Sequence, residues 1–174
     1  MKTAIDEVSS QNLLKAVIND EKMNLKLLLD EGVNPNFICE NDNTPLHFAV
    51  ILGFEEVAKA LLGAGASPIA CAIHGLNSFH LAVMYNHFPI AQFFLADEKI
   101  SKNIINIPDG YGFTALHHAA KGGFINMAKL LIQKNADPNI KISDGYYSGK
   151  TPLDLAPQVL LDEIKEELDL LGSW

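Results

Sequence analysis

Residues 44–50 read TPLHFAV, and residues 114–120 read TALHHAA. A histidine at the fourth place of both invites a metal or catalytic reading, which depends on whether the phrase occurs again. It does: QNLLKAV at 11–17, NSFHLAV at 77–83 and TPLDLAP at 151–157 align with the first two, at steps of 33, 33, 37 and 37 residues. Three apolar columns keep this phase through all five copies. One is Ala16, Ala49, Ala82, Ala119 and Ala156; another is Leu13, Leu46, Phe79, Leu116 and Leu153; the third is Leu28, Leu61, Phe94, Leu131 and Leu168. A sustained period of this length marks a chain built from like supersecondary units.

Each unit has the same internal grammar. Thr44-Pro45 and Thr151-Pro152 read as a helix N-cap followed by Pro at the first helical position. A short apolar stretch follows, then a break such as LGF (52–54) or KGGF (121–124), then a second stretch with helical spacing, as in Val57, Leu61 and Leu62. In the third copy Pro89 is tolerable only in the first turn of the second helix, which places the cap at Asn86 or His87. The second stretch ends at Gly32, Gly65 or Asn135, residues that accept the left-handed conformation past a helix end. Turn-forming NPN (34–36), SPI (67–69) and DPN (137–139) come next. The predicted unit is helix, tight turn, helix, extended turn.

A period near 33 residues with T-P-L-H-x-A resembles the ankyrin-repeat family, and DGYGFT at 109–114 is similar to that family's lead-in to the first helix. The resemblance implies an all-α solenoid of stacked helix-turn-helix units with β-turn or hairpin fingers. It covers about residues 9–171, with repeats at about 9–38, 39–71, 72–108, 109–145 and 146–171, an extension at 1–8 and a tail at 172–174. The terminal copies depart from the pattern. Leu14 and Asp154 stand where the inner copies have His, and Asn12 stands where Pro is usual. Such units face water on one side and are expected to be atypical. The two longer steps place four-residue insertions within EKISKNIIN (98–106) and KISDGYYSGK (141–150).

Composition narrows the function. The chain has 174 residues, 48% of them hydrophobic, and a net charge of −8. All 13 basic residues are scattered lysines, with no arginine, which argues against a nucleic-acid partner. No apolar run is long enough to span a bilayer, and the start MKTAIDEVSS lacks a signal-peptide core, so a cytoplasmic monomer is expected. An alternative is a secreted bacterial effector of the ankyrin type acting on a host protein in the host-cell cytosol, because the acidic, apolar end LDEIKEELDLLGSW resembles some bacterial effector tails. The same residues also read as the last unit's second helix.

His47, His80 and His117 repeat at one place in successive units. Stacked helices lie about 8–10 Å apart, too far for equivalent rings to share an ion bound at about 2 Å. Each His is therefore expected to brace its own helix turn and a neighbouring loop, and the resemblance implies the same, with the ring bonded near the Thr that opens the helix. His118 reads as a packed ring, and Cys39 and Cys71 as free thiols. No hydrolase, P-loop, C-x-x-C or H-E-x-x-H pattern occurs. No catalytic residue, cofactor or metal is expected. A His-based enzyme and a metal-dependent switch remain as remote alternatives.

The resemblance implies a concave face of fingers and first helices that binds other proteins, as an inhibitor or adaptor. The fingers are 37–43, 69–76, 106–113 and 141–150, and the ends of the first helices add Ile51, Leu52, Met84, Tyr85, Lys121 and Gln158. All four tyrosines fall in this set. The candidate partner contacts are Phe37, Asn41, Ile73, His74, Tyr85, Tyr111, Phe113, Lys121, Tyr146 and Tyr147. Tyrosine suits an interface because it joins a large apolar body to a polar tip. Glu40, Asp42, Asp109 and Asp144 are expected to give the fingers an acidic cast that steers a basic partner.

Overall fold

A computed structural model describes residues 4–171. The first three residues of the expected extension and the expected tail at 172–174 lie outside the described residues. The chain forms eleven α-helices among those described: α1 (Ala4–Ile18), α2 (Lys22–Asp30), α3 (Pro45–Ile51), α4 (Glu55–Gly63), α5 (Ser78–Met84), α6 (Phe88–Ala96), α7 (Glu98–Ile104), α8 (Ala115–Gly122), α9 (Ile125–Gln133), α10 (Pro152–Leu155) and α11 (Gln158–Leu171). There is no strand among them, only an isolated bridge between Cys71 and Asn77.

The helices pack as two rows. The first helices touch in the series α1, α3, α5, α8, α10, and the second helices in the series α2, α4, α6, α9, α11. The repeat columns explain why. Leu46, Phe79 and Leu116 are fully buried, as are Leu61, Phe94 and Leu131, while Ala49, Ala82 and Ala119 let neighbouring helices approach. A lone helix pair has no partner for these side chains; the next unit supplies it, so stability resides in the interfaces between layers. Of the column members in the terminal units, Leu28, Leu153 and Ala156 are only half-buried, while Leu13, Ala16 and Leu168 are buried.

The local signals act where the residues place them. Thr44 and Thr151 are N-caps with Pro directly behind them, and Pro89 sits in the first turn of α6 with His87 as cap. Gly32, Gly65 and Asn135 follow their helices at φ 84°, 88° and 66°. Between layers, Asn36 donates to the Gly65 carbonyl at 2.9 Å and accepts from the Ser67 amide at 2.7 Å. Asn106 holds the Asp137 amide in the same way at 2.9 Å.

The two insertions have different fates. Residues 98–104 fold as α7, packed on α6 and capped by the Asp97 carboxylate, which accepts from the Lys99 and Ile100 amides. Ser101, Ile104 and Ile105 are buried. The second insertion lengthens a finger. Backbone bonds close the fingers at Cys39–Asn43, Ala72–Leu76 and Asp109–Phe113, but at Ile142–Lys150 in the fourth.

Both ends differ from the middle. The first helix, α1, is 15 residues long, against seven in α3, and runs unbroken across the boundary expected after residue 8. At the other end α10 stops after four residues, before Pro157. Gln158, expected at the end of a first helix, is instead the first residue of α11.

Candidate functional site

The repeated histidines hold the base of each finger. A backbone amide can only donate, so each Nδ1 must be an acceptor: His47 from the Thr44 amide at 3.0 Å, His80 from Asn77 at 3.3 Å and His117 from Thr114 at 3.1 Å. In return the cap side chain accepts from the His backbone, as Asn77 Oδ1 does from the His80 amide at 2.9 Å. The ring proton then belongs on Nε2, which donates across to the next finger: His80 to the Ile107 carbonyl at 2.8 Å and His117 to the Lys150 carbonyl at 3.3 Å. His47 Nε2 faces the Leu76 and Ala70 carbonyls without a well-formed bond. Burial lowers the pKa of all three, that of His80 to about 4. These are neutral structural rings. In the last unit Asp154 replaces His, accepting from the Thr151 amide at 2.9 Å and hydroxyl at 3.0 Å.

Fingers two to four are packed backbone to backbone. The Gly110 amide donates to the His74 carbonyl at 2.7 Å. A Cβ on Gly75, which has φ +69°, would meet the Gly110 nitrogen at 2.7 Å, so this approach requires glycine. Asp109, expected to contribute to an acidic face, is instead 7% exposed. Its carboxylate accepts from the amides of Tyr111 (2.9 Å) and Phe113 (3.0 Å) and from His118 Nε2 (2.9 Å). Burial pushes its pKa up, but these donors bring it net below the usual value. Asp109 shapes the third finger and is not free to steer a partner.

On this frame the candidate residues separate into groups. Tyr111 reaches across to the second finger, its hydroxyl 2.9 Å from His74 Nδ1, and stays 53% exposed. Tyr147 packs edge-on to Phe113 and to Tyr146, with Lys121 Nζ 4.6 Å from the Tyr147 ring centre. Tyr146 is 95% exposed. Phe113, expected as a contact, is buried, with its ring stacked on His118 and edge-on to His117. Phe37 is buried too. Both rings offer little surface, and that of Phe113 is covered by His117, His118 and Tyr147. Tyr85 stands apart from the finger tyrosines, stacked on His87, while Asn41 and Ile73 are exposed on their fingers.

The sequence reading did not foresee a cleft of about 680 Å³ between α1 and the first finger. Its lining includes Leu14, Ile18, Ile38 and Phe48. Leu14, an apolar residue at the histidine position, was the available signal. The extra length of α1 was not visible without the fold. Cys39 also lines the cleft, and burial raises its pKa to about 11, so it is a thiol at neutral pH. Both cysteines are free. Among the described residues, no group of three or more His, Cys, Asp or Glu is placed to hold a metal ion, and no helix is long and apolar enough to cross a membrane.

The sequence is similar to known proteins. A family model described as ankyrin repeats (3 copies) matches residues 5–71 and 67–142. A putative ankyrin repeat protein of Rickettsia bellii is 28% identical over 87% of this chain and 59% of its own length. The nuclear factor NF-kappa-B p105 subunit of Gallus gallus is 32% identical over 88% of this chain, which spans only 16% of that protein. The NF-kappa-B inhibitor alpha of Homo sapiens is 29% identical over 79% of this chain and 45% of its own length. Ankyrin repeats are protein-interaction modules. With five phased copies, two helix rows and a matching family model over most of its length, the chain belongs to the ankyrin-repeat family.

Proposed function

We propose that this chain is a non-enzymatic module that holds a protein partner across its fingers and first helices, the side that is concave in this family. It acts by occupying the partner's surface, as an inhibitor or adaptor in a cytosol-like compartment. The observation that carries this reading is the exposed aromatic surface of the third and fourth fingers. Tyr111 stands half open to solvent on a backbone packed at Gly75 and Gly110 and held by Asp109, and Tyr146 stands open on the fourth finger. Rigid aromatic anchors of this kind lose little entropy on binding and dominate interface energetics. Ile73, His74, Lys121 and Tyr147 complete the proposed contact area; Tyr85 and Asn41 lie at its margins.

Affinity capture with the wild-type chain and a Tyr111→Ala/Tyr146→Ala variant tests this. The expected result is loss of specific partners by the double variant at an unchanged urea midpoint. Equal recovery of every partner by both proteins would count against this surface.

A further inference from the structure

At the amino-terminal end, α1 takes the place where the inner units have a finger, and the result is the cleft described above. One wall is the face of α1 carrying Leu14 and Ile18; the other carries Phe37 and Ile38, and Phe48 of α3 completes the apolar lining. Ile18 is 45% exposed and Ile38 58% exposed, so these are uncovered side chains rather than core. The rim is acidic. Glu7 on α1 and Glu40 on the finger both line the cleft and are exposed, and neither is paired with a basic side chain among the described residues.

We infer that this cleft, at the amino-terminal end of the proposed binding side, takes one amphipathic helix from a partner protein, with apolar anchors on one face and lysine or arginine at its flanks. This rests on the reading of the finger side as a protein-binding surface but uses none of the finger tyrosines. Four features select that occupant. The lining along α1 runs from residue 7 to residue 18, about 16 Å at 1.5 Å per residue, which matches a guest helix of about three turns. The apolar walls suit anchors at i, i+3, i+4 and i+7. The unpaired carboxylates, in a chain of net charge −8, favour basic flanks and repel acidic ones. The volume accommodates a few large side chains and not a whole domain.

The test uses the full chain and two labelled 14-residue peptides read by fluorescence anisotropy. Both carry four leucines at i, i+3, i+4 and i+7; one has lysines at its flanks and the other glutamates. Expected is saturable binding of the lysine peptide, at least about tenfold weaker binding of the glutamate peptide, and reversal of that preference in Glu7→Lys/Glu40→Lys. Ile38→Asp, at an exposed position, should abolish binding while keeping the urea midpoint. Tyr111→Ala/Tyr146→Ala should bind the lysine peptide as wild type does. The proposal is overturned by the absence of saturable binding, or by equal binding of a scrambled lysine peptide. It is also overturned if binding survives Ile38→Asp and is lost in the tyrosine variant, an outcome that leaves the finger reading intact. Sedimentation as a dimer that Ile38→Asp dissociates would make the occupant a second copy and overturn it as well.

Discussion

The Thr114–His117 box and the Thr151–Asp154 box perform the same local task with opposite chemistry. In the middle of the stack the acceptor is a buried, neutral imidazole whose second nitrogen reaches the next finger. In the fifth unit the acceptor is a solvent-exposed carboxylate, and no further finger stands beside it among the described residues. A carboxylate at the buried position would lack a donor for the carbonyl ahead of it and would carry a desolvated charge. An imidazole at the end would have no second partner. The repeated histidine is a device for joining layers, and a carboxylate takes its place in the unit that has no further layer against it among the described residues.

Core truncations should show the largest contrast. Leu116→Ala, at a fully buried site, should cost about 2–5 kcal/mol. Leu153→Ala, its half-buried equivalent in the last unit, should cost less than half as much as Leu116→Ala. Urea midpoints measure both, and equal losses would break the distinction between middle and end.

Glycines sharpen it next. Gly75→Ala must place a Cβ against the Gly110 backbone at a left-handed φ, and should cost about 1–3 kcal/mol. Gly145 has φ +78° but open space around it, so Gly145→Ala carries only the backbone cost of about 1 kcal/mol.

Acid separates the two boxes. The folded-state pKa of His80 lies near 4, below its ordinary value of 6.5. The unfolded chain therefore takes up a proton that the folded chain refuses, and stability falls as pH drops from about 6.5 toward 4. His47 and His117 shift in the same direction for the same reason, burial. Backbone and side-chain hydrogen bonds from Thr151 hold the Asp154 carboxyl below its ordinary value of 3.8. Its contribution persists through that window and is lost only as pH falls further. Urea midpoints of wild type should decline between pH 6.5 and 4, and the decline should be shallower in His80→Gln. Asp154→Asn should leave its slope unchanged.

The smallest effect is expected at Tyr146. Its Ala variant should change stability by less than about 0.5 kcal/mol, because the ring is almost wholly exposed. A larger loss would mean that the fourth finger depends on this ring for its shape.

Much of this was legible in the residues. Caps, helix ends and the turn role of Pro89 depend on a few adjacent positions, and each was readable where it stands. The structural role of the histidines was readable because ligand convergence and layer spacing are incompatible. The contact surface was only partly readable. Tyr111 and Phe113 lie two residues apart in one finger, yet one is half open and the other buried. Asp109 looked like surface charge and proved to be the finger's internal acceptor. A finger has no strict period, so nothing in its own sequence says which side chain faces inward.

By itself the sequence determined the number of layers, their phase and the chemistry of their joints, since a repeated local pattern carries that information in every copy. Only the tertiary structure decided that residues 98–104 form a helix, that α1 stands opposite a finger to leave a cleft, and which aromatic rings remain in water. Those outcomes depend on what a neighbouring layer, some thirty residues away in the chain, places against each side chain, and burial is a property of that pairing and not of either residue alone.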